Sequence, residues 1–180
     1  LGRIGREVAR RARGLDMRVI ALDQFVTAAK MAELGCEPAA SLDELLPRVD
    51  FLTIHVPATA ETSGMIGARE LGMMRRTARV LNVARGGIVD EKALADALAA
   101  GTIAGAGIDV FSAEPIAADN PLVKAPNVVL TPHLGASTVE AQENVAVEAA
   151  QLIRDYLLKG QIANAVNMAS VDPKELAEVR

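Results

Sequence analysis

The sequence predicts an α/β fold on a doubly wound parallel sheet, and three observations predict it. Short continuous apolar runs recur at 17–22, 51–54, 80–83, 103–108 and 128–130, each bounded by polar, Gly or Pro residues. Runs of that length read as buried strands. Between them lie segments with helical spacing and helix caps, so strand and helix alternate. That alternation implies right-handed crossovers and strands running in one direction. The third observation is compositional: 51% of the 180 residues are hydrophobic but only 2% aromatic. Ala, Val, Leu, Ile and Met must therefore fill the core, which suits helices packed on a parallel sheet.

The elements follow in order. Residues 3–13 form a helix with Ile4, Val8 and Ala12 on one stripe, while Arg6, Arg10 and Arg13 give a solvated polar face. The strand at 17–22 ends in Asp23, and 27–34 forms a short helix ended by Gly35. Ser41-Leu42-Asp43-Glu44 is a capping box opening another short helix. Strand 51–54 leads into His55-Val56-Pro57, and strand 80–83 leads into Arg85-Gly86-Gly87. Asp90 caps an Ala/Leu-rich helix that stops at Gly101. Strand 103–108 leads into Asp109, and strand 128–130 into Thr131-Pro132-His133. Ser137-Thr138-Val139-Glu140 is a second capping box, opening the longest helix, which runs to about Lys159 and Gly160. Beyond it, 161–168 reads as an extended piece and 170–175 as the start of a further helix.

A chain of 180 residues is long enough for one well-buried domain and short for two. The net charge of −4 gives no electrostatic footprint for a polyanion, and scarce aromatics remove stacking platforms, so nucleic acid is not an expected ligand. No run reaches the ~20 apolar residues of a membrane span. Cys36 is the sole cysteine, so no internal disulfide forms; a reducing, cytoplasmic compartment fits, and the simplest role for Cys36 is a small buried residue.

Arg85, Glu114 and His133 carry the chemistry. Arg85 and His133 lie just past strand ends and Glu114 in the loop after Asp109, and ligands of such sheets bind outside the carboxyl ends of the strands. An imidazole takes a hydroxyl proton, a carboxylate holds that imidazole, and a guanidinium grips a carboxylate in a two-pronged geometry. A surface charge, a turn residue and a loop histidine are the structural alternatives for the three. Gly2-Arg3-Ile4-Gly5 matches the back half of G-x-G-x-x-G, the turn that brings a pyrophosphate onto a helix N-terminus. Asp23 follows at close to the ~20-residue spacing of a carboxylate that binds a ribose 2′-hydroxyl. An acid there repels a 2′-phosphate, so NAD is expected over NADP.

Five stretches together carry a family resemblance: Leu1-Gly2-Arg3-Ile4-Gly5-Arg6-Glu7-Val8; His55-Val56-Pro57 with Thr59 and Thr62; 82–91; 107–111 with Glu114-Pro115; and 131–138. They resemble the NAD-binding domain of the D-isomer-specific 2-hydroxyacid dehydrogenases, whose fold is Rossmann-like. His133 to Thr138 and Asn164-Ala165-Val166-Asn167 resemble the branch that oxidises a phosphorylated 2-hydroxy acid. The resemblance implies that Arg85 binds the substrate carboxylate and carbonyl oxygen, that Glu114 orients His133 and raises its basicity, and that His133 is acid and base at the C2 oxygen. It further implies Arg3 and Ile4 at the pyrophosphate, Asp23 at the adenosine ribose, and Val56 and Pro57 on the adenine side. On the same resemblance Val83, Ala84, Asp109, His133, Gly135 and Ala136 would line the nicotinamide end, and Gly2, Gly5 and Arg85 would complete the cofactor-binding set. No metal is implied.

The resemblance also implies that residues 1–165 are an N-terminally incomplete NAD-binding domain whose central first strand precedes Leu1. Residues 166–180 then start the return towards a substrate domain outside this chain, which alone is expected to be inactive. Other D-2-hydroxyacid dehydrogenases, such as a glyoxylate/hydroxypyruvate reductase, and a non-catalytic NAD(H)-sensing module stay open beside the phosphorylated-substrate reading. A homo-oligomer, dimer or tetramer, is expected, with the helix from Ser137 and the 88–101 region as interface elements.

Overall fold

Side-chain alternation decides which face of each strand is buried, and four strands share one answer. The structure is a computed structural model and describes residues 1–165. Its elements are α1 (Arg3–Gly14), β1 (Ile20–Ala21), α2 (Ala28–Glu33), β2 (Glu37–Pro38), α3 (Leu42–Leu45), β3 (Phe51–Ile54), α4 (Ala68–Met73), β4 (Arg79–Asn82), α5 (Glu91–Ala99), β5 (Gly105–Ile108), β6 (Val128–Leu130) and α6 (Val139–Lys159). Short 3-10 turns occupy Leu46–Arg48, Pro121–Lys124 and Leu134–Ala136. The chain divides into two units, Leu1–His133 and a second beginning at Leu134.

In the first unit β3, β4, β5 and β6 form a parallel sheet in that order. The register aligns Leu52, Val80, Ala106 and Val128 in one row and Ile54, Asn82, Ile108 and Leu130 in another. These rows share a face, since residues two apart point the same way. That face is covered by Ile66, by Leu71 of α4, by Leu94 and Leu98 of α5 and by Leu122, all buried. Each aliphatic side chain so buried stabilises the fold by about 1.5–3 kcal/mol. On the other face α1 arrives at the β3 end, where a Cβ added to Gly5 would lie 3.6 Å from the His55 Cβ. The remainder of that face is open, and Val83 and Val129 are 50% and 67% exposed.

A smaller parallel ladder pairs Ile20 with Glu37 and Ala21 with Pro38. Ala9, Ala21, Met31 and Cys36 form its core, separate from the main cluster. Burial pushes the Cys36 thiol above its ordinary range. Among the described residues no strand pairs with both β1 and β3.

Several sequence expectations need correction. The strand at 17–22 contracts to Ile20–Ala21 because its one ladder partner, β2, is itself only two residues long. The buried stripe of α1 is Gly5 and Ala9 rather than Ile4, Val8 and Ala12, and Ile4 is 64% exposed. Only a residue without a bulky side chain fits as closely as Gly5 does against His55. The cap of α6 is Thr138, whose hydroxyl accepts from the Ala141 N–H at 3.1 Å, and not Ser137, whose N–H instead closes the preceding turn onto Leu134. At the earlier capping box, Ser41 accepts from Glu44 N–H, while Glu44 answers to Ala40 N–H rather than to Ser41. Asp90 caps α5 as expected, and α6 ends at Gly160 in the left-handed conformation. Residues 166–168 of the extended piece, Val166 and Asn167 among them, and the helix expected at 170–175 lie outside the described residues.

Candidate active site

Polar side chains at strand ends build the site. Asn82 closes β4 and is only 2% exposed. Its Nδ2 donates to the Arg85 carbonyl at 2.9 Å and its Oδ1 accepts from the Ala84 N–H at 3.2 Å. One buried amide therefore folds Val83-Ala84-Arg85 back on itself and fixes the Arg85 main chain at the carboxyl edge. The exposed Arg85 guanidinium donates to the Ala84 carbonyl at 2.6 Å.

Gly86 follows with its backbone against the next strand's loop. A Cβ there would lie 1.8 Å from the Phe111 carbonyl oxygen and 2.8 Å from Ser112 N. The Arg85 loop and the loop leading to Glu114 are thus in direct main-chain contact. Within the second loop Glu114 Oε1 accepts from the Phe111 N–H at 3.0 Å. Its Oε2 meets His133 Nδ1 at 2.7 Å. The His133 hydrogen bond first, and the Phe111 N–H second, hold the Glu114 carboxyl below the usual carboxylate range. An ionised carboxylate only accepts, so Nδ1 carries the proton of this hydrogen bond, which leaves Nε2 as the acceptor nitrogen of the neutral tautomer. The His133 main chain is left-handed, with φ of 56°, a region that costs an ordinary residue roughly 1–2 kcal/mol. Such an outlier directs attention to function.

Asp109 directly follows β5, is 5% exposed, and accepts a hydrogen bond from the hydroxyl of Thr131, which directly follows β6. Val83, Asp109 and Thr131 line an open groove of about 310 Å³ on the less covered sheet face, together with Leu81, His55 and Val8. His55 Nε2 meets the Thr53 hydroxyl at 3.0 Å, and burial pushes its imidazole below the ordinary range.

The nucleotide side is assembled from α1, β1 and the end of β3. The first turn of α1 holds no acidic residue, and a Cβ added at Gly2 meets nothing within 4 Å. An open helix N-terminus without a carboxylate suits an anionic pyrophosphate. Arg3 and Ile4 are exposed in that turn. The Asp23 carboxylate just beyond β1 accepts from the Phe25 N–H at 2.8 Å. After β3, Val56 is half-buried and Pro57 exposed, with the Pro57 carbonyl accepting from the Thr62 hydroxyl at 2.7 Å. The residues at hand fit a dinucleotide.

The first unit therefore brings the Arg85 loop, Asp109, Glu114 and His133 to one edge. Gly135 and Ala136 lie in the 3-10 turn that opens the second unit. Sequence reasoning assigned no role to Asn82, Thr131 or Glu91. A polar residue closing an apolar run is the signal for the first two; Glu91 offers no local signal, because its partners are distant in the chain.

A parallel α/β sheet with a glycine turn opening a helix, and an Arg and a Glu–His pair at its carboxyl edge, defines a dinucleotide-binding domain. Residues 1–135 match the family described as D-isomer specific 2-hydroxyacid dehydrogenase, NAD binding domain, and the chain belongs to that family. It is 44% identical over 180 residues to a D-3-phosphoglycerate dehydrogenase of Synechocystis sp., covering 100% of this chain and 32% of that protein. It is 45% identical over 175 residues to one of Archaeoglobus fulgidus, covering 97% of this chain and 33% of that protein. The chain thus spans about a third of the length of these curated relatives. Among solved structures, a glyoxylate reductase from Paecilomyes thermophila superposes with a TM-score of 0.80 at 35% identity, over 91% of this chain and 49% of that one. An NAD-complexed D-isomer specific 2-hydroxyacid dehydrogenase from Lactobacillus delbrueckii ssp. bulgaricus gives 0.77 at 30%, over 91% and 52%. No helix among the described residues is long and apolar enough to cross a membrane.

Proposed function

We propose that this chain is the nucleotide domain, over residues 1–165, of an NAD-dependent D-3-phosphoglycerate dehydrogenase, with 166–180 leading towards a substrate domain. The observation that carries the chemistry is the Glu114–His133 pair at the carboxyl edge, one loop from Arg85. Relatives at 44% and 45% identity support the substrate. In this reading the Arg85 guanidinium grips the substrate carboxylate, and His133 Nε2 takes the C2 hydroxyl proton as the alcohol becomes a ketone. Glu114 keeps Nδ1 protonated and balances the imidazolium that results. NAD would supply the acceptor for the hydride that leaves C2. Asp23 favours NAD because a carboxylate repels a 2′-phosphate. The same reading puts the protein in the cytoplasm as a homo-oligomer, dimer or tetramer.

Glyoxylate or hydroxypyruvate reduction is the second reading, favoured by the structural neighbour described as a glyoxylate reductase at 35% identity. Turnover of the natural protein that contains this chain decides between them. NADH formation from D-3-phosphoglycerate at a kcat/KM well above that for glycolate and glycerate is expected. Faster reduction of glyoxylate or hydroxypyruvate than of 3-phosphohydroxypyruvate would reverse the assignment. Saturable NAD(H) binding with no turnover of any of these would instead make it a nucleotide-sensing module.

A further inference from the structure

Glu91 is the first residue of α5, next to the capping Asp90. An acid in that position ordinarily faces solvent and complements the helix dipole. Here it reaches elsewhere. Its Oε1 accepts from the Ser112 N–H at 2.6 Å and from the Ser112 hydroxyl at 2.7 Å. Its Oε2 accepts from Asn120 Nδ2 at 2.5 Å. One carboxylate so grips both ends of the 112–120 loop, and Glu114 lies between the two grips. The far grip is itself anchored: Asn120 Oδ1 accepts from the Leu122 N–H, and Leu122 is fully buried. On the other side, Glu91 is five residues past Gly86, whose backbone lies against Phe111 and Ser112.

We propose that Glu91 is a positioning residue that fixes the Glu114–His133 pair relative to Arg85. It touches neither substrate nor cofactor in this assignment and acts through the loop it holds. The assignment rests on the dehydrogenase reading above for its effect on turnover, while its effect on the Glu114–His133 pair does not depend on that reading.

The geometry supplies its own test, because donor and acceptor can be exchanged. In Glu91→Gln an amide NH₂ faces the Asn120 NH₂, and in Asn120→Asp two carboxylates face each other. When both substitutions are combined, the new amide at position 91 donates to the new carboxylate at position 120, which still accepts from the Leu122 N–H. In the natural protein that contains this chain, each single variant is expected to lower kcat/KM for oxidation by about 10- to 100-fold, as for one hydrogen bond to a charged group. The KM for NAD stays close to wild type, and the double variant recovers to within about threefold.

The pH profile separates positioning from bulk effects. Glu114 and Asp109 are unchanged in every variant. If the loop shifts, His133 loses its carboxylate partner in both single variants, and the acid limb of kcat/KM moves to lower pH in both. Through-space charge alone would move it down in Glu91→Gln, which removes a negative charge, and up in Asn120→Asp, which adds one. Opposite shifts overturn the proposal, as does a lower melting temperature with wild-type kcat and pH limb. Should a single variant fail to fold, Ser112→Ala loses one of the three bonds and is expected to cost about threefold in kcat/KM; no loss there overturns the proposal equally. If the wild-type protein turns over no 2-hydroxy acid, the dehydrogenase reading fails, and NMR titration of the His133 ring in the same variants still tests the positioning role.

Discussion

The helix-covered face of the four-stranded sheet and its carboxyl edge are made by the same strands but held by different forces. On the face, Leu52, Ile54, Val80 and Ile108 are buried under α4 and α5 by area and shape alone. At the edge, Asn82, Asp109 and Glu114 hold three successive loops through hydrogen bonds with fixed partners. One strand can thereby serve two ends. Its alternation sets stability, which is non-directional. Its last residue and the loop beyond set geometry, which is directional.

Substitutions that strike one region and spare the other put that contrast to the test. His133→Ala should lower turnover by roughly 10²- to 10⁴-fold while NAD affinity, followed by fluorescence titration, stays nearly unchanged. A variant with normal turnover would falsify the assignment of His133. Leu94→Ala, on the covered face, should cost about 2–5 kcal/mol in urea denaturation, with kcat per folded molecule unaltered. Gly86→Ala strikes both regions at once, since its Cβ would sit 1.8 Å from the Phe111 carbonyl oxygen. Separating the two loops should destabilise by about 1–3 kcal/mol and lower turnover on the order of 10²-fold. Retention of both values would undo the link drawn between the Arg85 and Glu114 loops.

The smallest effect is on pH dependence. Glu114 is held below the ordinary carboxyl range by His133, so its contribution is present above its unfolded value of about 4.3. That contribution is lost as pH falls through the lower folded value. Comparing wild type with Glu114→Gln by denaturation between roughly pH 5 and 3 should show their difference shrinking as the solution is acidified. A difference that grows instead would remove the His133 hydrogen bond as its cause.

The parts of the fold legible in sequence were those whose signals are local. Apolar runs gave β3 and β6 at their observed bounds, and Asp90 and Gly160 marked helix ends by cap chemistry. The pairing of Glu37-Pro38 with β1 was not legible, because neither residue type favours a strand. Helix α4 opens at Gly67, which has no capping side chain, and contains Gly72; its one start signal is Glu70, whose carboxylate accepts from the Gly67 N–H at 3.1 Å. Of the site, Arg85, Glu114 and His133 were legible as reactive types beyond strand ends. Asn82 was not, since its partners are backbone groups of its own loop, and Glu91 was not, since Ser112 and Asn120 join it only through the fold.

The left-handed backbone at His133 bears on the choice of a control. Of the residues with a Cβ, asparagine, aspartate and histidine enter that conformation most readily. Replacing the imidazole with alanine therefore alters two properties at once, the proton-transfer group and the ease of the turn that carries the chain onward from β6. Asparagine removes the first and preserves the second. His133→Asn is accordingly the cleaner chemical blank, and the gap between the asparagine and alanine variants measures what the bend itself contributes.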